Sequence, residues 1–219
     1  VVKLKTSITP TIQDIEHMFQ TMIRPNEPGI VQNVPPKPVT NGGTMVLPIS
    51  DLHLGMLSPR YGLNKAVMTY RNIVEKAVMA AQTIRTSRII FLIGGDVINC
   101  DNLNGTTTKG TPQDNVADFH TIMDAAYKAT VDALYRLSAL APVDVICVPG
   151  NHDKTASVYL FNFCRAWFRH YGSMTWKMAE NGRAYQVVGQ TLLCFAHDAN
   201  EKIIARLIAD ERRDVWSQI

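Results

Sequence analysis

Nine residues in this chain carry the groups a divalent metal would select, and they come in four short runs. Asp51-Leu52-His53 places a carboxylate and an imidazole two residues apart. Asp96 follows Gly94-Gly95, with Asn99 three residues on. Gly150-Asn151-His152-Asp153 supplies an amide oxygen, an imidazole and a carboxylate in succession, and His197-Asp198 stands further down the chain. In an extended backbone Asp51 and His53 would point to the same side. The two glycines would let the chain turn sharply at Asp96 and approach an ion closely. Mixed carboxylate and imidazole donors suit Mn, Fe, Zn or Ni better than Ca or Mg alone. A carboxylate such as Asp96 can bridge two ions. Ions about 3.5–4 Å apart clamp the attacking and leaving oxygens of a phosphoryl transfer and acidify a shared water.

Each run is preceded by an apolar stretch that reads as a strand: Met45–Ile49, Arg88–Ile93, Val143–Val148 and Thr191–Ala196. The last pairs with Tyr185–Val188 as a hairpin around Gly189-Gln190. Helical periodicity fills the intervals at Leu63–Arg85, Val116–Leu140, Ser157–Tyr171 and Glu201–Asp210. Strands alternating with helices predict a layered α/β fold. Ligands of open α/β sheets bind outside the carboxyl ends of the strands, where all four runs would meet.

Together these motifs resemble the calcineurin-like metallophosphoesterase family, whose D-x-H, G-D and G-N-H-[DE] motifs match Asp51-Leu52-His53, Gly95-Asp96 and Gly150-Asn151-His152-Asp153 in order. The resemblance runs from about Val46 to His197. It implies a two-sheet sandwich flanked by helices (αββα layers), with the site at the C-terminal ends of the strands. It implies that Asp51 and His53 bind a first metal, that Asp96 bridges, and that Asn151 and His197 bind a second. His152 would contact the phosphate and protonate the leaving group, with Asp153 orienting it. Asn99, where many members carry Asp, would hold an outer or phosphate contact. The cofactor expectation is two divalent ions, Mn²⁺ first, with Fe, Zn or Ni as alternatives.

There are two departures. Members often carry Gly after the position of His197, and this chain has Asp198; their G-H-x-H loop is absent from these residues. The expectation is a chain truncated at its C-terminus after Trp216-Ser217-Gln218-Ile219. The polar segment Asp101–Asn115 is similar to that of bacteriophage-encoded members grouped with SbcCD-type repair exonucleases. Thr108 and Lys109 within it are candidate substrate contacts. The preferred substrate is therefore a phosphodiester in nucleic acid, DNA included. A phosphomonoesterase acting on a small molecule or phosphoprotein, and a catalytically incomplete interaction scaffold of the same fold, stand as alternatives.

The 219 residues, 46% hydrophobic and 19% charged, fit one domain with extra material. That division falls at residues 1–43, an N-terminal helix and Pro-rich linker, and 44–219, the catalytic domain. Ile12, Ile15, Phe19, Met22 and Ile23 recur at helical spacing behind Thr11, and prolines then break regular structure up to Gly42-Gly43. A net charge of +3 is mildly basic, and no basic arm marks a nucleic-acid binder. No apolar run reaches the roughly 18 residues of a membrane span. Cys100, Cys147, Cys164 and Cys194 form no CxxC pair and read as reduced core residues, which predicts a cytoplasmic protein.

Taken singly, each site residue has a structural reading: Asp51 and Asp96 as turn caps, Asn151 and Asp153 as turn residues. The joint arrangement favours the metal site. His17, His120 and His170 read as surface residues, and Arg165 and Arg169 as solvated. Tyr159, Phe161, Phe163, Trp167 and Phe168 read as packing, and Met68, Met79 and Met123 as core filler.

Overall fold

The computed structural model describes residues 41–198 and 200–216. The expected N-terminal helix, His17 and nearly all of the Pro-rich segment lie outside them.

Strands β1 (Gly43–Ile49), β2 (Thr86–Ile93), β3 (Val143–Cys147) and β4 (Met174–Met178) form a parallel sheet in the order β1-β2-β3-β4. Helices α1 (Leu63–Thr83), α2 (Phe119–Ser138) and α3 (Lys154–Trp167) make the crossovers. Strands β5 (Arg183–Val188) and β6 (Thr191–Ala196) pair antiparallel as a second, two-stranded sheet, followed by α4 (Glu201–Glu211) and α5 (Arg213–Trp216). Pro48 sits in β1, an edge strand, where its missing N–H costs no ladder bond.

Every residue from Ile89 to Ile93 is buried because both faces of β2 are covered. Ile89, Phe91 and Ile93 join Val143, Val145 and Cys147 in the core against the helices. Ile90, Leu92, Ile146 and Val148 point the other way and pack with Ala184, Leu193 and Phe195 of the hairpin. The two-sheet sandwich with flanking helices is therefore present. Parallel strands buried on both faces read as continuous apolar runs, as β2 and β3 do. The helical layer is closed by Ala66, Tyr70, Val74, Ala77 and Ala81 of α1. The Tyr70 hydroxyl donates to Thr130 Oγ1 of α2 at 3.1 Å within the core. On the hairpin side, Glu211 of α4 takes Arg183 in an ion pair and accepts the Tyr185 hydroxyl at 2.6 Å.

Several expectations need correction. β4 and α5 have no counterpart in the sequence reading. Helix α3 starts at Lys154, three residues before Ser157, and α2 starts at Phe119 because Asp118 caps it by accepting from Thr121 N at 2.9 Å. Phe161 and Phe168 are buried as expected; Phe163 and Trp167 are partly exposed but pack, Phe163 stacking on Tyr127 of α2 and Trp167 lying against Phe163, while Tyr159 is exposed. Met123 is buried, whereas Met68 and Met79 are exposed. His120, His170, Arg165 and Arg169 are at the surface. All four cysteines are free thiols. No helix among the described residues is long and apolar enough to cross a membrane.

Candidate functional site

Parallel pairing continues past the strand ends and laces the first two site loops together. Gly94 N donates to Ile49 O, Asp51 N to Gly95 O, His53 N to Asp96 O and Leu54 N to Val97 O, all within 3.0 Å. The Asp51-Leu52-His53 loop thus lies directly against the Gly95-Asp96 loop. One ligand atom each from Asp51, His53 and Asp96 lies within 4.8 Å of the others. His53 Nδ1 is buried without a hydrogen-bond partner.

The backbone achieves this differently from the expectation. Asp51 (φ 53°) and His53 (φ 43°) are left-handed rather than extended, and Asp96 (φ 59°) and Asp198 (φ 53°) share that conformation. Seven described non-glycine residues take positive φ, and these four are at the site. Such a conformation costs an L-residue about 1–2 kcal/mol, and it clusters where function imposes it. The turn at Asp96 is made by Asp96 itself. The neighbouring glycines serve close approach. A Cβ on Gly95 would fall 2.4 Å from His197 Nδ1, and one on Gly150 would fall 2.1 Å from Asp96 Oδ1.

The third loop is held by reciprocal contacts. Asp153 is wholly buried, and its Oδ1 accepts from Asp96 N and Gly150 N at 3.1 Å while Oδ2 accepts from Ile98 N at 3.0 Å. Burial pushes this carboxyl above the usual carboxylate range, opposed by those three donors. Asp153 precedes α3 but does not cap it. Asp101 does so from the loop after β2, accepting from Thr155 N at 2.6 Å and Ala156 N at 2.8 Å. The sequence reading gave Asp101 no role, since a cap more than fifty residues away leaves no local signature.

His152 N donates to Asp96 Oδ1 at 2.8 Å, and His152 Nδ1 lies 3.0 Å from Asn99 O. A carbonyl oxygen only accepts, so that bond places the proton on Nδ1. The ring is therefore oriented by the Asn99 backbone, whereas the resemblance gave that task to Asp153. Its edge meets the His53 ring at 4.8 Å between centroids. The Asn99 amide nitrogen donates to Asn115 Oδ1 at 2.9 Å and to Asp114 O at 3.3 Å, which ties down the 101–115 loop. Thr108 is fastened at the site by its N–H to Asn151 O and by Lys154 N to its Oγ1. Lys109 is exposed beside it.

His197 enters from the end of β6. Its Nε2 lies 3.4 Å from Asp96 Oδ2, 3.1 Å from Asn151 Oδ1 and 3.5 Å from Asp198 Oδ2. The Asn151 oxygen faces acceptors alone, with Asp96 Oδ2 at 3.3 Å and Asp198 Oδ2 at 3.1 Å. Such a convergence of lone pairs is satisfied either by a cation or by the amide turned over to donate its NH₂. The spacings fit both: 3.1–3.3 Å are hydrogen-bond lengths for the turned amide, and four donors at about 2.1 Å around one ion stand about 3.4 Å apart. The residues present therefore fit a divalent metal centre, with Asp96 shared by both donor groups.

Carboxylate, amide and imidazole donors converging beyond the ends of β1, β2, β3 and β6 make a candidate metal centre. The model of the family described as calcineurin-like phosphoesterase matches residues 45–217. The chain belongs to that family, and it is a metal-dependent phosphoesterase, a hydrolase of phosphate esters. Comparison with curated proteins returned no match, nor did comparison with solved structures.

Proposed function

We propose that the chain hydrolyses a phosphodiester in nucleic acid with two divalent ions, Mn²⁺ preferred. The observation that carries the two-ion reading is the position of Asp96. Its buried carboxylate stands between the Asp51–His53 pair and the Asn151–His197 pair. Asp51, His53 and Asp96 would hold one ion, and Asp96, Asn151 and His197 the other. The ions supply positive charge to the phosphate oxygens and acidify water.

The protein's own groups do the rest. Asp96 is fixed through Oδ1 by His152 N and through its backbone N by Asp153. The Nδ1–H bond to Asn99 O leaves His152 Nε2 as the proton-carrying atom. When protonated, the ring delivers that proton to the leaving oxygen, which is general acid catalysis. Asp153 acts through the backbone by holding the Asp96, Ile98 and Gly150 amides.

The preference for nucleic acid draws support from the mildly basic balance and from Thr108, bonded to Asn151 O, with exposed Lys109 next to it; the kinship with phage-encoded SbcCD-type exonucleases rests on the resemblance of the 101–115 loop. The test uses metal-stripped full-length chain with and without Mn²⁺. The substrates are bis(p-nitrophenyl) phosphate, p-nitrophenyl phosphate, and labelled single- and double-stranded DNA. Diester and DNA cleavage, with DNA affinity falling as salt rises, is the expected result. Turnover of the monoester alone would overturn the nuclease reading while leaving the phosphoesterase.

A further inference from the structure

Asp198 is the one member of the convergent set with no role in the scheme above. We propose that it is a metal ligand, completing the Asp96–Asn151–His197 group as a fourth protein donor to the second ion. The inference rests on the two-ion reading.

Three observations place it there. Asp198 Oδ2 lies 3.1 Å from the Asn151 amide oxygen and 3.5 Å from His197 Nε2. Both separations match the donor–donor edges of about 3.4 Å that surround an ion with bonds near 2.1 Å. Among the described residues its carboxylate has no basic partner other than His197. The Asn151 side chain links the two carboxylates, its oxygen position standing 3.3 Å from Asp96 Oδ2 and 3.1 Å from Asp198 Oδ2. A divalent ion bound at Asn151 and His197 would attract both carboxylates. Asp198 is also 73% exposed, so its side chain can swing onto the ion without rearranging the core.

The residue's backbone makes a clean test possible. Asp198 sits at φ 53°, a conformation glycine adopts without strain. Asp198→Gly therefore removes the carboxylate while leaving the backbone at least as comfortable. A merely structural Asp198 predicts no change in metal binding.

The experiment titrates Mn²⁺ into metal-stripped full-length protein by calorimetry. The rise in melting temperature on adding Mn²⁺ is measured alongside, for the wild type, Asp198→Gly, Asp198→Asn and Asn151→Ala. The expected result is two ions in the wild type. Asp198→Gly keeps the first ion and an apo melting temperature equal to or above wild type, and binds the second ion at least tenfold more weakly. Asp198→Asn, which keeps one neutral oxygen, falls between. Wild-type affinity for both ions in Asp198→Gly, with second-site affinity lost in Asn151→Ala, would overturn the role of Asp198 alone. A single ion in the wild type, or full affinity in Asn151→Ala, would instead overturn the two-ion reading on which it rests.

Discussion

Replacing Gly150 by alanine is the sharpest perturbation the geometry offers. The new Cβ would stand 2.1 Å from Asp96 Oδ1, 2.4 Å from Asp96 N and 2.9 Å from Asp96 Cγ. Real Cβ atoms essentially never approach within 3.0 Å, so the gap must widen by about 0.9 Å. Asp96 cannot rotate away, because its Oδ1 holds His152 N, its N–H is held by Asp153 and its carbonyl accepts His53 N. The third site loop must therefore move away from the first two. Forced overpacking of this kind costs about 1–3 kcal/mol of stability, and a displacement of about 1 Å at reacting groups can cost about 100-fold in rate. The expected result for Gly150→Ala is folded protein with kcat/KM on bis(p-nitrophenyl) phosphate reduced about 100-fold, read with Mn²⁺ in excess and alongside a thermal melt. Gly172→Ala is the control, since its Cβ meets nothing within 4 Å. If Gly150→Ala kept kcat/KM within about threefold of wild type, the close packing of the two loops would be refuted.

Asp101→Ala strips the first turn of α3 of its acceptor. It should cost about 1–2 kcal/mol, seen as a melting point several degrees lower, and an unchanged melt would contradict the capping role. Arg183, assisted by the Tyr185 hydroxyl, holds the Glu211 carboxyl down to about 2, below its ordinary value of 4.5. A depressed carboxyl stabilises the fold above its unfolded value and loses that contribution as pH falls through its folded value. The melting difference between wild type and Glu211→Gln should therefore be constant above about pH 5 and vanish on acidification towards about pH 2; a difference independent of pH would count against the tie. Burial raises the Cys147 thiol well above its ordinary range and pushes the Cys164 thiol up to about 12. Neither should react with an alkylating reagent until the protein unfolds, and labelling of either in the native state by mass spectrometry would contradict their burial.

How much of this was legible in the sequence depended on range. β2 and β3 could be read because both faces are buried and the runs are nearly continuous, and β6 was found to the residue. The four ligand-bearing runs stood out because each follows an apolar run of strand length. β4 escaped because its five residues interleave exposed Thr175 and Lys177 with the buried and half-buried positions at an edge of the sheet. The start of α3 was misplaced because Asp153 spends its carboxylate on the neighbouring loops and the cap arrives from Asp101. Residue spacing cannot report that exchange. Nor could it show that left-handed backbone, rather than extended chain, aims Asp51 and His53. The aromatic residues of α3 divided between buried and partly exposed positions because residue type alone does not fix how deep each lies, as with Phe163, which stacks on Tyr127 of α2 yet stays partly open to solvent.

Asp96 is the residue on which both donor groups converge, so its substitution is the decisive test of the shared metal centre. Mn²⁺-dependent hydrolysis of bis(p-nitrophenyl) phosphate should be measured for wild type and Asp96→Asn, with circular dichroism to verify the fold. A native spectrum is expected, with turnover lost together with Mn²⁺ binding. Native-level turnover in Asp96→Asn would contradict that shared centre.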